Sequence, residues 1–296
     1  MKYGNGSSSE ALVSEESNDI KNTSSETVGG VSEEFFWRAI GSVADGAIHI
    51  RQEKPCQDAL FFSCEKNFSI ACVADGHGSN SCPYSADGAL TAVKIAAEIL
   101  AQTLDIAALK DIRLPRLIES KWKEAVEKIH AEKEREENFA HILYGTTLLA
   151  AAATEKFIFV LQIGDGNILT VDENAAHPIL PAEENVGEET ESLCLENAWT
   201  FIRTQIIPLD AQKPAMILLS TDGYAKSFAD SAGFLKAGTD FFKLWQENGL
   251  DFIEKNLHDW LRNTSDKGSG DDIAMVLLFF EAVSPRSSVA SPPLAD

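Results

Sequence analysis

Seven strongly apolar runs punctuate this chain, and several of them stop or start at an aspartate that stands beside a glycine or a second aspartate. They are ALFFSC (59–64), FSIACVAD (68–75), GTTLLAAAAT (145–154), KFIFVLQIG (156–164), NILTV (167–171), AMILLST (215–221) and DIAMVLLFF (272–280). Their β-branched and aromatic residues, bounded by Gly, Asp, Asn and Lys, favour strands over short helices. The runs 145–154 and 156–164, joined by Glu155-Lys156, read as a hairpin. Nothing here gives the regular strand-helix alternation of a doubly wound sheet, so the expectation is an α+β fold of antiparallel sheets with helices packed outside.

Two segments carry helical periodicity. From Pro83 to Leu104 the apolar positions Ala86, Leu90, Val93, Ala97 and Leu100 recur at three and four, with Pro83 suited to the first turn. From Leu114 to Asn138, Ile118, Trp122, Val126 and Ile129 share one face of a highly charged segment. A further pair is expected near 239–247 and 249–262. Residues 1–34 and 284–296 are rich in small and polar residues with almost nothing to bury and read as disordered tails around one domain at 35–283.

The formal net charge of −21, from 46 acidic and 25 basic residues, argues against a protein that binds nucleic acid or an anionic membrane, and favours a divalent cation. The five cysteines form no CxxC pair and no zinc spacing, and read as free thiols of a reducing compartment. With no leader pattern and no run approaching the ~18 apolar residues of a membrane span, the expected location is cytoplasmic.

The aspartates carry the chemistry. Asp75 in VADGHG, Asp165 in QIGDGN, Asp222 in LLSTDGY and Asp271 with Asp272 in GSGDDIAM share one pattern, and Asp58 opens the run beginning at Ala59. A single Asp-Gly most often marks a turn. Five instances at strand ends point instead to carboxylates gathered in one cleft, and an oxygen-only cluster suits Mg²⁺ or Mn²⁺. Gly76 is expected to let the backbone turn sharply through dihedrals closed to other residues, so that its carbonyl faces the ion. Two metals sharing Asp75 would activate a water for attack on phosphorus.

In order, PCQDA, VADGHGS, YGTTLLA, QIGDGN, LLSTDGY and GSGDDIAMVLL resemble the blocks of the PPM-type (type 2C) metal-dependent serine/threonine protein phosphatases. The nearest likeness is to their compact bacterial branch, whose GxxHxxxxxPCQD pattern stands here as GAIHIRQEKPCQD, residues 46–58. The resemblance spans about 38 to 281. It implies a central β-sandwich of two antiparallel sheets flanked by helices, a four-layer αββα arrangement, with a binuclear Mn²⁺ or Mg²⁺ site at one end. By motif, Asp75 would bridge both metals, the Gly76 carbonyl would bind one, and Asp222 and Asp271 would complete the other's shell. Asp165 would belong to a third, weaker metal, and Asp58 would hold metal-bound waters.

Departures stand beside these matches. The family's Glu-Asp pair reads Gln57-Asp58, and its upstream phosphate-gripping arginine has no clear equivalent, with His49 near that place. His49 could bind phosphate, donate a proton, or serve as a structural hydrogen-bonding residue. His77 could protonate the leaving alkoxide or orient water. Ser79 reads as a turn or cap residue. Between Asp172 and Trp199 lies an acidic stretch that reads by itself as a long solvated loop; the resemblance implies a flap there beside the cleft, whose acids would favour basic phosphopeptides.

The expected activity is hydrolysis of phosphoserine and phosphothreonine on proteins by a monomer, with a serine/threonine kinase or its substrates as partner. The alternatives are a phosphatase for phosphotyrosine or a small phosphoester, and a non-catalytic phosphoprotein-binding pseudophosphatase. A calcium-binding module is disfavoured, because no EF-hand loop or nonapeptide repeat occurs.

Overall fold

Among the described residues, ten strands form along the apolar runs and three further segments: β1 (Phe35–Ala44), β2 (Ala59–Cys64), β3 (Phe68–Ala74), β4 (Leu148–Thr154), β5 (Phe157–Ile163), β6 (Asn167–Val171), β7 (Ala176–Pro178), β8 (Arg203–Pro208), β9 (Met216–Ser220) and β10 (Ile273–Ala282). They are seen in a computed structural model that describes residues 35–180, 190–209 and 216–282; the expected tails, 1–34 and 284–296, lie outside them. All pairings are antiparallel, giving one sheet of order β1-β10-β9-β6-β7 and another of order β2-β3-β4-β5-β8.

Seven helices are described: α1 (Ala47–Arg51), α2 (Ser85–Gln102), α3 (Ile106–Leu109), α4 (Arg113–Glu132), α5 (Asp222–Ala225), α6 (Ser231–Asn248) and α7 (Leu250–Lys267). The four long ones, α2, α4, α6 and α7, cover the outer faces of the sheets. Side chains of β4 explain the layering. Leu148, Ala150 and Ala152 pack with Val93, Ala96, Ile118 and Trp122 of α2 and α4, whereas Leu149, Ala151 and Ala153 join the core between the sheets. In β10, Met275, Leu277 and Phe279 likewise face Phe241, Ile253 and Leu257 of α6 and α7, while Ala274, Val276 and Leu278 point inward. Successive side chains alternate between faces, so a strand covered on both sides must be apolar at every position. That is why LLAAAA and IAMVLLFF run without polar interruption. The four-layer α+β sandwich therefore matches the expected class.

Differences from the expected elements have local causes. Strand β1 pairs with β10 along its whole length, but Arg38, Gly41 and Ser42 interrupt its apolar character. Strands β7 and β8 are edge strands with several exposed positions, and carry little hydrophobic signal. On α2, Leu90 is exposed rather than buried, and Ala89 takes the inner position. The inner face is built from small residues because a Cβ on Gly88 would lie 2.0 Å from the Tyr144 carbonyl oxygen, so the helix runs very close to that loop. Pro83 precedes α2, which starts at Ser85. The next long helix ends at Glu132 rather than Asn138, and Glu134 beyond it has a positive φ of 48°. Helix α6 starts eight residues before the expected 239, at an Asp230 cap whose side chain accepts from Gly233 N at 2.8 Å. Gly233 and Gly238 mask its periodicity; the second fits where a Cβ would lie 3.2 Å from Ala176 on β7.

The register also fixes where the loops meet. Ala59 at the start of β2 stands opposite Ala74 at the end of β3, and Leu148 at the start of β4 opposite Ile163 at the end of β5. In the other sheet, Asn167 opposes Ser220, Ser220 opposes Met275, and Ile273 opposes Ala44. Every aspartate singled out in the sequence thus leaves the sandwich at the same end, with the Gly164-Asp165-Gly166 turn crossing from one sheet to the other. No described helix is long and apolar enough to cross a membrane.

One comparison tests the face of α2. Leu100→Ala should cost about 2–5 kcal/mol by urea denaturation, as for a buried leucine, while Leu90→Ala on the same helix should stay within about 0.5 kcal/mol.

Candidate active site

At that end of the sandwich, His49, Asp75, Gly76, His77, Asp165, Asp222 and Asp271 line one cleft together with Gln57, Thr190 and Lys226. Asp75 follows β3 directly, and its backbone is held by threonines at the start of β4. Its N–H donates to Thr147 Oγ1 at 2.9 Å, and its carbonyl accepts from Thr147 N and Thr146 Oγ1, each at 2.9 Å. Asp222 is the first residue of α5 and is buried; Lys226 Nζ donates to its Oδ2, and its Oδ1 is buried without a hydrogen-bond partner. Asp271 is more open than Asp165 and Asp222, with its side chain 45% exposed. Asp58 sits behind the cleft lining, where its Oδ2 accepts from Thr221 Oγ1 at 2.6 Å and Ala274 N at 2.9 Å.

Electrostatics ties these groups together. Burial, followed by the charges of Asp58, Asp222, Asp271 and Asp165, pushes the Asp75 carboxyl well above the usual range. Burial also raises Asp58 strongly; the Thr221 hydrogen bond opposes this, and Asp272, Asp271 and Asp222 add to it. Asp165 is raised by burial and then by Asp222. Desolvated like charges that repel one another call for a cation. Among the described residues, no three Asp, Glu, His or Cys side chains already stand at the separations of a closed ligand sphere. The donor set nevertheless fits a hard divalent ion that keeps several waters, since it is all oxygen and includes the unpartnered Asp222 Oδ1.

Asp272 organises the approach to this cleft. It is buried, its Oδ1 accepts from Gly46 N at 2.6 Å, and its Oδ2 accepts from His49 Nδ1 and Gln57 N, each at 2.8 Å. One carboxylate thereby pins both ends of the 46–57 segment and the ring between them. With Nδ1 donating to Asp272, His49 presents Nε2 toward Asp271 Oδ1, 4.0 Å away.

Gly76 is required for a different reason from the one expected. It is not among the positive-φ glycines, so no special dihedral is involved. A Cβ there would instead lie 2.7 Å from the Gln57 carbonyl oxygen and 2.8 Å from that of Ser85. Close approach, not backbone freedom, excludes a side chain. Gln57 in turn donates from Nε2 to Ser85 Oγ at 2.6 Å and to the His77 carbonyl at 3.4 Å. A carboxylate could not donate to that carbonyl, so the amide links the DGHG loop to the start of α2. The His77 N–H donates to Gly145 O at 3.0 Å, and burial lowers the His77 pKa while Asp165 pulls it upward. Ser79 is an exposed turn residue whose Oγ accepts from Ser81 N at 3.2 Å.

Part of the expected flap, residues 181–189, lies outside the described residues. Its described flanks are fixed. Thr190 Oγ1 donates to Asp165 Oδ2 at 3.4 Å, Leu193 N to Thr146 O at 3.0 Å, and Trp199 N to the buried Glu119 at 3.0 Å.

A sequence profile described as Protein phosphatase 2C matches residues 45–262. The chain belongs to the protein phosphatase 2C family. Serine/threonine-protein phosphatase 3 of Escherichia coli (strain K12) is 23% identical over 247 residues, 80% of this chain and 95% of that protein. In fold, the chain is similar to the catalytic domain of the serine/threonine protein phosphatase PstP, solved in complex with two manganese ions. The TM-score is 0.55 at 14% identity, covering 83% of this chain and 99% of that one. PppA of Pseudomonas aeruginosa gives a TM-score of 0.52 at 15% identity, covering 84% and 100%.

Within this phosphatase 2C fold, sequence reasoning left three contributors unassigned. Asp272 stood in the GDD motif without a role, Thr221 in STDG was not singled out, and Lys226 is the fourth residue after Asp222. Asp272 was visible only as the second acid of its pair, and the i+4 spacing of Lys226 from Asp222 becomes a signal only once a helix is known to start at Asp222.

Asp272→Ala should leave several buried donors unpaired and cost about 3 kcal/mol or more. Chemical denaturation would measure the loss, and faster amide hydrogen exchange at Gly46 and Gln57 would localise it.

Proposed function

We propose that this chain hydrolyses phosphoserine and phosphothreonine monoesters on proteins, with two Mn²⁺ or Mg²⁺ ions held by Asp75, the Gly76 carbonyl, Asp222 and Asp271. The observation that carries this reading is the convergence of mutually repelling, desolvated carboxylates, one with an unpartnered oxygen, in the cleft of a phosphatase 2C chain. The Escherichia coli relative, itself described as a serine/threonine-protein phosphatase, supports the substrate class. Bound ions of this kind lower the pKa of a water and neutralise charge on phosphoryl oxygens.

The chain's own residues would divide the remaining work. Asp58, held by Thr221 and Ala274, fixes the rim from behind and orients water toward Asp75. His49, with its Nδ1–H on Asp272, offers Nε2 to the leaving oxygen. Burial favours neutral imidazole at His77, which suits that residue to positioning water rather than to delivering a proton.

Phosphorylated proteins, among them a serine/threonine kinase or its substrates, would be the partners of a monomeric enzyme. Five free thiols accord with a cytoplasmic setting.

The deciding assay is phosphate release from a phosphothreonine peptide with Mn²⁺, with Mg²⁺ and with chelator. Turnover should require metal, and Asp75→Asn should fall to the level seen with chelator; metal-independent turnover, or an active Asp75→Asn enzyme, would overturn the reading. In the same assay His49→Ala should lower kcat and alter its pH profile, whereas an unchanged profile would remove His49 as the acid.

A further inference from the structure

We propose that Lys226 is the resident cation of the Asp165–Asp222 end of the cleft, and that its ammonium takes the place a third divalent ion would occupy. This rests on the two-ion reading above and adds to it that this enzyme takes two ions rather than three.

The argument begins with how Asp222 divides its two oxygens. Oδ2 accepts from Lys226 Nζ, whereas Oδ1 is buried with no hydrogen-bond partner. One oxygen is thus already committed to a cation supplied by the chain, and the other is left for an ion from solution. The same Nζ lies 3.7 Å from Asp165 Oδ2, so one ammonium serves both carboxylates.

Both partners are placed by backbone. Lys226 stands one helical turn after Asp222, its N–H donating to the Asp222 carbonyl at 2.8 Å. Asp165 is set by the β5–β6 turn, where Gly164 has a φ of +95° and a Cβ would lie 2.5 Å from Thr147 Cγ2. Among the described residues, Lys226 is the only lysine or arginine lining the cleft.

A tethered ammonium differs from a bound metal in ways that matter. It offers three hydrogen-bond donors and a single charge, is never lost to a chelator, and does not depend on ion concentration. A divalent ion between Asp165 and Asp222 would have to displace it and meet its repulsion at short range. Replacing Lys226 by an acid would instead put three carboxylates around that space, a donor set suited to Mn²⁺.

The test is Mn²⁺ binding to the full chain, titrated into the millimolar range and read from the signal of free Mn²⁺ without any assay of activity. Wild type and Asp165→Asn should each bind two ions, Lys226→Glu should bind a third, and Lys226→Glu with Asp165→Asn should return to two. A third ion on wild type that Asp165→Asn removes would overturn the proposal, as would an unchanged count in Lys226→Glu. Thermal melts in chelator provide a second readout. Lys226→Met should lower Tm on the order of 2–4 °C, and adding Asp165→Asn should recover part of that loss; strictly additive effects would refute the pairing. If Asp75→Asn left Mn²⁺ binding untouched, the two-ion reading would fail, while the melts in chelator would still decide the Lys226 contact.

Discussion

Repulsion among carboxylates brought to one end of a β-sandwich is the constraint around which the site is arranged. Asp58, Asp75 and Asp165 all have raised proton affinity, with burial as the leading cause and neighbouring acids adding to it. Such a cluster is costly unless cations or donors compensate it. Thr221 and the Ala274 amide meet Asp58, Lys226 meets Asp222 and Asp165, and Gly46, His49 and Gln57 converge on Asp272. The Asp222 Oδ1 left over marks where compensation from within the chain stops.

The sandwich makes this concentration possible. Its central strands are buried on both faces, so the polar groups needed for chemistry are pushed to the strand ends. Antiparallel pairing then places the end of one strand beside the start of the next. The close contacts at Gly76 and Gly88 belong to the same economy of space: each lets one backbone approach another near the cleft, which a Cβ would prevent. Rigid sheets thereby hold functional groups that loops alone would hold loosely.

Legibility in the sequence followed the continuity of the apolar runs. Strand β2 matched its expected limits, and β3, β5 and β10 came within two residues of theirs, because their apolar runs are continuous. Strand β1 was less visible because Arg38, Gly41 and Ser42 break its pattern, and β7 and β8 because they are short or largely exposed and hold no continuous apolar run. Leu90 misled for the opposite reason: it has the right spacing, but a helix packed closely through Gly88 and Ala89 turns it outward. At the site, the aspartates were visible as an unusual recurrence, whereas Gln57 looked like a lost carboxylate and proves to be a donor to a carbonyl and a serine.

Taken alone, the sequence determined that this is an α+β chain of antiparallel sheets with helices outside, and that acids stand at the strand ends in the order of the phosphatase 2C family. Alternation and composition are local properties, and local properties can be read along a line. Only the tertiary structure decided how the acids divide their work. Asp271 and Asp272 both line the cleft, but Asp271 is open to it while the buried Asp272 anchors the 46–57 segment, and Lys226 bridges acids from two different loops. Such roles depend on which backbones lie within hydrogen-bond reach across gaps of up to 226 residues, and register and packing set that distance.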